Sequence, residues 1–176
     1  MPRQPATSFA RHIREIPDFP KPGILFRDIT PLLQHGPAFR SVINQLARRY
    51  AHKRINAVVA IESRGLIFGA ALAYRLGAGL VIVRKPGKLP HRTIRREYTL
   101  EYGQGTLEVH EDSLNRGARV VLIDDLLATG GTMGAVVDMM EHFRATIVEI
   151  AFVVELADLK GRARLGRRPV HALVKY

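Results

Sequence analysis

Residues Val120 to Met133 read VVLIDDLLATGGTM. Val120 to Ile123 form a short apolar run of the kind that makes a buried strand. Asp124 and Asp125 follow at its end, and Leu126, Leu127 and Ala128 lead into Thr129-Gly130-Gly131-Thr132. A helical pattern begins at Met133. Backbone N–H groups at a helix start have no partner within the helix, and the helix dipole favours an anion there. Gly130 and Gly131 let the backbone approach closely, and Thr129 and Thr132 add hydroxyl donors. The loop therefore reads as a phosphate cradle. It is not a P-loop, because the chain contains no G-x-x-x-x-G-K-[ST]. Two carboxylates beside such a cradle suit a metal ion or the hydroxyls of a sugar. A helix cap would account for one acid but not for the pair.

Working outward, comparable apolar runs occur at Ala57–Ile61, Leu80–Val83, Ile147–Val154 and Ala172–Val174. Helical patterns lie between them at Phe39–His52, Leu66–Leu76 and Met133–Phe143. Leu66–Leu76 is apolar almost all round, which predicts a buried helix. Strands alternating with helices, each strand apolar on both faces, predict an α/β fold with a parallel sheet flanked by helices. Gly77-Ala78-Gly79 precedes a strand, so it reads as a helix C-terminal turn and not as a dinucleotide fingerprint. The length of 176 residues suits one domain spanning residues 1–176.

Ligands of parallel sheets bind at the carboxyl ends of the strands. Those ends are chemically rich here. Glu62-Ser63-Arg64-Gly65 follows the first run, Arg84-Lys85-Pro86-Gly87-Lys88 the second, and the acids with the Thr/Gly loop the third. The formal charge is +11, with basic clusters at Arg84–Arg96 and Lys160–Arg168. Clustering at strand ends marks the first as functional, and the second reads as a solvated face. With no cysteine, a disulfide scaffold, a thiol nucleophile and a cysteine-held zinc are excluded. The N-terminal stretch has no apolar secretory core, and the uncharged run Gly65–Tyr74 falls far short of the ~20 residues of a membrane span. A cytoplasmic protein that does not engage membranes is expected.

The Asp-Asp-x-x-Ala-Thr-Gly-Gly-Thr stretch resembles the phosphoribosyl-diphosphate (PRPP) motif of the type I phosphoribosyltransferases. The likeness extends over nearly the whole chain. Ile16–Pro31 (IPDFPKPGILFRDITP), Ser63–Gly65, Arg84–Pro90 (RKPGKLP), Tyr98–Gly103 (YTLEYG) and Leu156–Gly161 (LADLKG) are similar, in order, to the adenine-specific branch of that family. The resemblance implies a purine-salvage reaction in which adenine and PRPP give AMP and pyrophosphate, with magnesium held mainly by PRPP. It implies a small hood and a flexible lid on the α/β core, and a homodimer with Ser63–Gly65 and Arg84–Lys88 near its interface. Asp124 and Asp125 would hold the ribose hydroxyls, and Ala128, Thr129, Gly130, Gly131 and Thr132 the 5′-phosphate. Ser63, Arg64, Lys85 and Lys88 would face pyrophosphate, with a cis peptide at Glu62–Ser63. Phe26 would stack on the base, Leu25 and Arg27 would read its edge through their backbones, and Leu159 would close the slot.

Pro86–Gly105 is long, polar and without a clear period, which predicts a lid loop. Within it, Glu101 resembles the residue that manages the proton of the purine imidazole, and Tyr102 the one that covers the ribose. The segment His91–Arg96 is more basic than the family pattern. Two other functions fit less well. A PRPP-binding regulator of nucleic acid would be expected to carry a recognition module and would not need Glu101, so no nucleic acid is expected. A 6-oxopurine enzyme of the same family would carry an aspartate in place of Ala128.

Overall fold

The computed structural model describes residues 7–100 and 103–176. In chain order the elements are α1 (Thr7–Ala10), β1 (Arg14–Ile16), β2 (Phe26–Asp28), α2 (Thr30–Gln34), α3 (Gly36–Tyr50), β3 (Ala57–Ile61) and α4 (Arg64–Leu76). There follow β4 (Gly79–Val83), β5 (Thr93–Leu100), β6 (Gly103–His110), β7 (Arg119–Leu127), α5 (Gly131–His142), β8 (Thr146–Glu155) and β9 (Val170–Lys175). Two 3₁₀ turns, Ala157–Leu159 and Gly161–Leu165, join β8 to β9.

β4, β3, β7, β8 and β9 form a five-stranded sheet in that order, every pair parallel. Its strands read as continuous apolar runs because both faces are covered. Val58, Ala60, Val121 and Ile123 point into a core shared with Val42 and Leu46 of α3 and Phe68 and Leu72 of α4. Ala57, Val59, Val120 and Leu122 point into the opposite core, with Met133, Val136 and Met140 of α5. The parallel sheet flanked by helices is thus as expected. β1 and β2 pair antiparallel as a small separate sheet, the hood.

Three local expectations change. Pro86–Gly105 was expected to be an irregular lid, but Thr93–Leu100 pairs antiparallel with Gly103–His110 across eight register pairs. Arginines at 92, 95 and 96 hide the period-2 signal in the sequence, and the buried partners Leu107 and Val109 lie beyond the expected loop. β7 continues through Leu127, so the two aspartates sit within a strand and not after it. Finally, α4 is not buried all round: Ile67 is 42% and Tyr74 88% exposed.

Candidate active site

β3 and β7 are neighbours in parallel register, with Ala60 beside Ile123. Whatever follows β3 is therefore placed against the end of β7. Arg64, the first residue of α4, reaches Asp125 with Nε 2.5 Å from Oδ2. Burial works against the Arg64 charge, and Asp125 more than offsets it, so the guanidinium is held above its usual range. Gly65 allows this approach: a Cβ there would stand 2.7 Å from Asp124 Oδ1. Asp124 Oδ1 accepts the Asp125 N–H at 2.8 Å. Burial, and then the adjacent Asp125 carboxylate, push the Asp124 carboxyl well above the ordinary carboxylate range. A protonated Asp124 can give its hydrogen to Asp125, so the two acids avoid carrying two adjacent charges.

Beyond the acids, Asp124, Ala128, Thr129, Gly130, Gly131 and Thr132 line a cavity of about 380 Å³. Gly130 precedes α5 with φ +82°, a conformation that suits glycine. A side chain there would also collide with the Gly161 carbonyl oxygen, and one on Gly161 with that of Ala128. The cradle is therefore braced by the turn after β8. Leu156 N–H, donating to Leu127 O at 2.9 Å, fastens that turn to the end of β7.

Phe26 lies in the hood strand β2, edge-on to Phe19 with ring centroids 5.1 Å apart. The Arg64 Cζ stands 5.9 Å from the Phe26 ring centroid. One arginine thus adjoins both the aromatic face and the carboxylates. Leu25 and Leu159 are part-exposed, at 43% and 42%. Arg27 is ion-paired with Glu15 and lies 3.7 Å over the Tyr176 ring. Asp28 accepts from the Thr30 hydroxyl at 2.6 Å and from its N–H at 2.9 Å, which holds the Asp28 carboxyl low.

Ser63 follows a cis Glu62–Ser63 peptide. Lys85 and Lys88 are exposed on the loop after β4. The shape of that loop comes from two acids that sequence reasoning passed over. Glu62 accepts from Arg84 Nε at 3.1 Å and from Lys85 N–H at 3.2 Å. Hydrogen bonding by Arg84 keeps its carboxyl low. Glu108, 1% exposed, accepts the Gly87 N–H at 3.1 Å and has Arg95 Nε 2.6 Å from its other oxygen. Both acids lie far in sequence from the groups they hold, so no local signal marks them. Glu101 and Tyr102 lie outside the described residues, between the last register pair, Leu100 and Gly103. The second basic cluster is not merely a solvated face: Arg162 grips the buried Glu155 with contacts of 2.5 and 2.6 Å, and Arg168 lies 3.1 Å from Glu141. β8 ends at Glu155, which makes it a natural anchor for the turn that Arg162 follows.

The fold has counterparts in known proteins. The phosphoribosyl transferase domain family matches residues 30–169. Adenine phosphoribosyltransferase from Roseiflexus sp. (strain RS-1) is 56% identical over 97% of this chain and 99% of its own length. The crystal structure of adenine phosphoribosyltransferase from Thermoanaerobacter pseudethanolicus superposes with a TM-score of 0.93 at 47% identity, covering 98% of this chain and 100% of that one. The Saccharomyces cerevisiae enzyme, solved with adenine and an imino-altritol bisphosphate, gives 0.90 at 37% identity, covering 96% and 97%. This chain belongs to the adenine phosphoribosyltransferase family.

Proposed function

We propose that the protein transfers the 5-phosphoribosyl group of PRPP to adenine, giving AMP and pyrophosphate. The observation that carries this reading is the position of Arg64, which adjoins Asp125 and the Phe26 ring together. Ribose acids and base platform are thereby one side chain apart. The yeast relative solved with adenine supports the choice of base. So does Ala128, which leaves the cradle without the acid expected of a 6-oxopurine enzyme.

In this reading Asp124 and Asp125 accept the ribose 2′ and 3′ hydroxyls. The Ala128–Thr132 backbone and the two threonine hydroxyls hold the 5′-phosphate at the start of α5. Ser63, Arg64, Lys85 and Lys88 receive the diphosphate, on a loop whose shape Glu62 and Glu108 hold. The bond from ribose C1 to the diphosphate oxygen breaks as the bond to adenine N9 forms, through an oxocarbenium-like state. The proton of the purine imidazole ring passes to Glu101 as N9 bonds to C1, and Tyr102 covers the ribose. Phe26 and Leu159 enclose the base, and Leu25 and Arg27 present backbone groups to its edge. The hairpin β5–β6 is the lid that keeps water from the cation-like centre.

Arg64 and the Asp125 N–H already engage the two acids, which fits magnesium riding on PRPP oxygens more than on protein. When bound, the ion would neutralise the leaving diphosphate. Among the described residues, no cluster of three or more His, Asp or Glu side chains could hold a metal ion by itself. We place the protein in the cytoplasm, acting as one catalytic domain per chain and as a homodimer. Support for the dimer comes from the exposed face of α4 and the groove of about 450 Å³ that Ala71 and Tyr74 share with Phe39 and Ile43 of α3.

The test is incubation with PRPP, magnesium and each of adenine, hypoxanthine, guanine and xanthine. A site built on hydrogen bonds to one purine edge rejects another by ~10⁴ or more, since its polar groups would be left unpaired. AMP from adenine alone is expected; comparable rates with hypoxanthine would overturn the reading.

A further inference from the structure

We infer that Tyr176 is a positioning residue for the base slot, joining its two walls through one side chain and one carbonyl. The inference rests on the reading of Leu25–Arg27 and Leu159 as that slot. The first wall is the hood strand. Its Arg27 side chain is only 13% exposed, ion-paired with Glu15 and stacked 3.7 Å from the Tyr176 ring centroid. A guanidinium on an aromatic face is held by the ring quadrupole, more strongly as water is excluded. The backbone of Leu25-Phe26-Arg27, which would meet the purine edge, is thereby fixed at its Arg27 end.

The second wall is the turn Ala157–Leu159. Ala157 N–H donates to Tyr176 O at 2.8 Å, while Tyr176 N–H donates to Glu155 O at 2.9 Å. These bonds extend the β8–β9 pairing to the foot of the turn that carries Leu159. Tyr176 is half-buried against the core on the α3–α4 side of the sheet, so its ring has a fixed seat. The hood and the turn are about 130 residues apart in sequence, and Tyr176 contacts both. It need not touch adenine. Its effect would be on the spacing between Phe26 and Leu159, hence on how well a flat base fits and not on the chemistry at C1.

The experiment compares Tyr176→Leu, which keeps apolar bulk without a π face, with Tyr176→Phe, which keeps the ring. Steady-state constants for adenine and PRPP are measured for each, with thermal melts as a control. Tyr176→Leu is expected to raise KM for adenine roughly tenfold, the scale of one partly buried cation–π contact. KM for PRPP and kcat should stay within about twofold, since the PRPP cradle is untouched. Tyr176→Phe should behave as wild type. An unchanged adenine KM, an equal rise for both substrates, or the same loss in Tyr176→Phe would overturn the inference. If Tyr176→Leu does not fold, Tyr176→Met, which also keeps apolar bulk without a π face, is read by the same criteria. Phe26→Ala separates this inference from the reading beneath it. If it too leaves adenine KM unchanged, the slot lies elsewhere; if it raises adenine KM while Tyr176→Leu does not, the role of Tyr176 alone fails.

Discussion

At Asp124, burial and a neighbouring carboxylate both oppose ionisation, and Gly65 leaves the space that lets the Arg64 end of α4 stand beside it. A carboxyl whose folded pKa is raised stabilises the protein fully below its unfolded pKa and loses that contribution as pH rises through the folded value. Wild type therefore carries a penalty at neutral pH that an amide would not. Asn at this position still accepts the Asp125 N–H and can donate to the Asp125 carboxylate. Asp124→Asn should melt about 2–4 °C higher at pH 7, the shift that about 1 kcal/mol produces in a chain of this size. The gain should vanish in scans below the ordinary carboxylate range. The same variant should bind PRPP several-fold more weakly by calorimetry, because its amide oxygen is taken by the Asp125 N–H and its amide nitrogen cannot accept a ribose hydroxyl, a hydrogen bond worth roughly 0.5–1.5 kcal/mol. A lower melting point with unchanged PRPP affinity would refute both the electrostatics and the ribose role. Asp124, Asp125 and the Thr/Gly loop were legible in the sequence because their chemistry is local: acids straight after an apolar run, glycines before a helix. The Arg64–Asp125 pair was not, since it spans 61 positions and needs the β3–β7 register to exist.

Among the elements, the ribbon β5–β6 departs most from its sequence pattern. Strand alternation needs apolar residues on one face, but β5 offers only Ile94, Tyr98 and Leu100 among arginines, a glutamate and threonines. The fold supplies what the local pattern lacks: the buried Leu107 and Val109 of β6, and the Arg84–Glu108 bridge to the end of β4. α4 failed in the opposite sense, since a helix apolar all round is buried only if every face has a neighbour. In the proposed mechanism Glu101 is the residue that takes the proton of the purine imidazole ring. Glu101→Gln keeps the shape but cannot accept the purine proton, so kcat should fall by ~10²–10⁴, the usual range for a lost general acid or base, with PRPP binding nearly intact. Single-turnover rates check that chemistry and not lid opening has slowed. A single-turnover rate within a few-fold of wild type would remove Glu101 from the mechanism.

For the whole molecule, the exposed residues of α4 matter more than its buried ones. Ile67 and Tyr74 stand one and about three turns beyond Arg64, and so share its side of the helix. In the proposed dimer this apolar stripe would meet the second chain. Light scattering at micromolar concentration should give the mass of a dimer, and the Ile67→Asp, Tyr74→Asp double variant that of a monomer; a wild-type monomer would refute the assembly. Arg64 is the first residue of that same helix, gripping Asp125 at one end while the exposed stripe runs along its length. In a dimer, a shift of α4 on dissociation would be felt directly at the acids. Turnover per chain would then depend on how crowded the solution is, with a lag after dilution set by the rate at which two chains part.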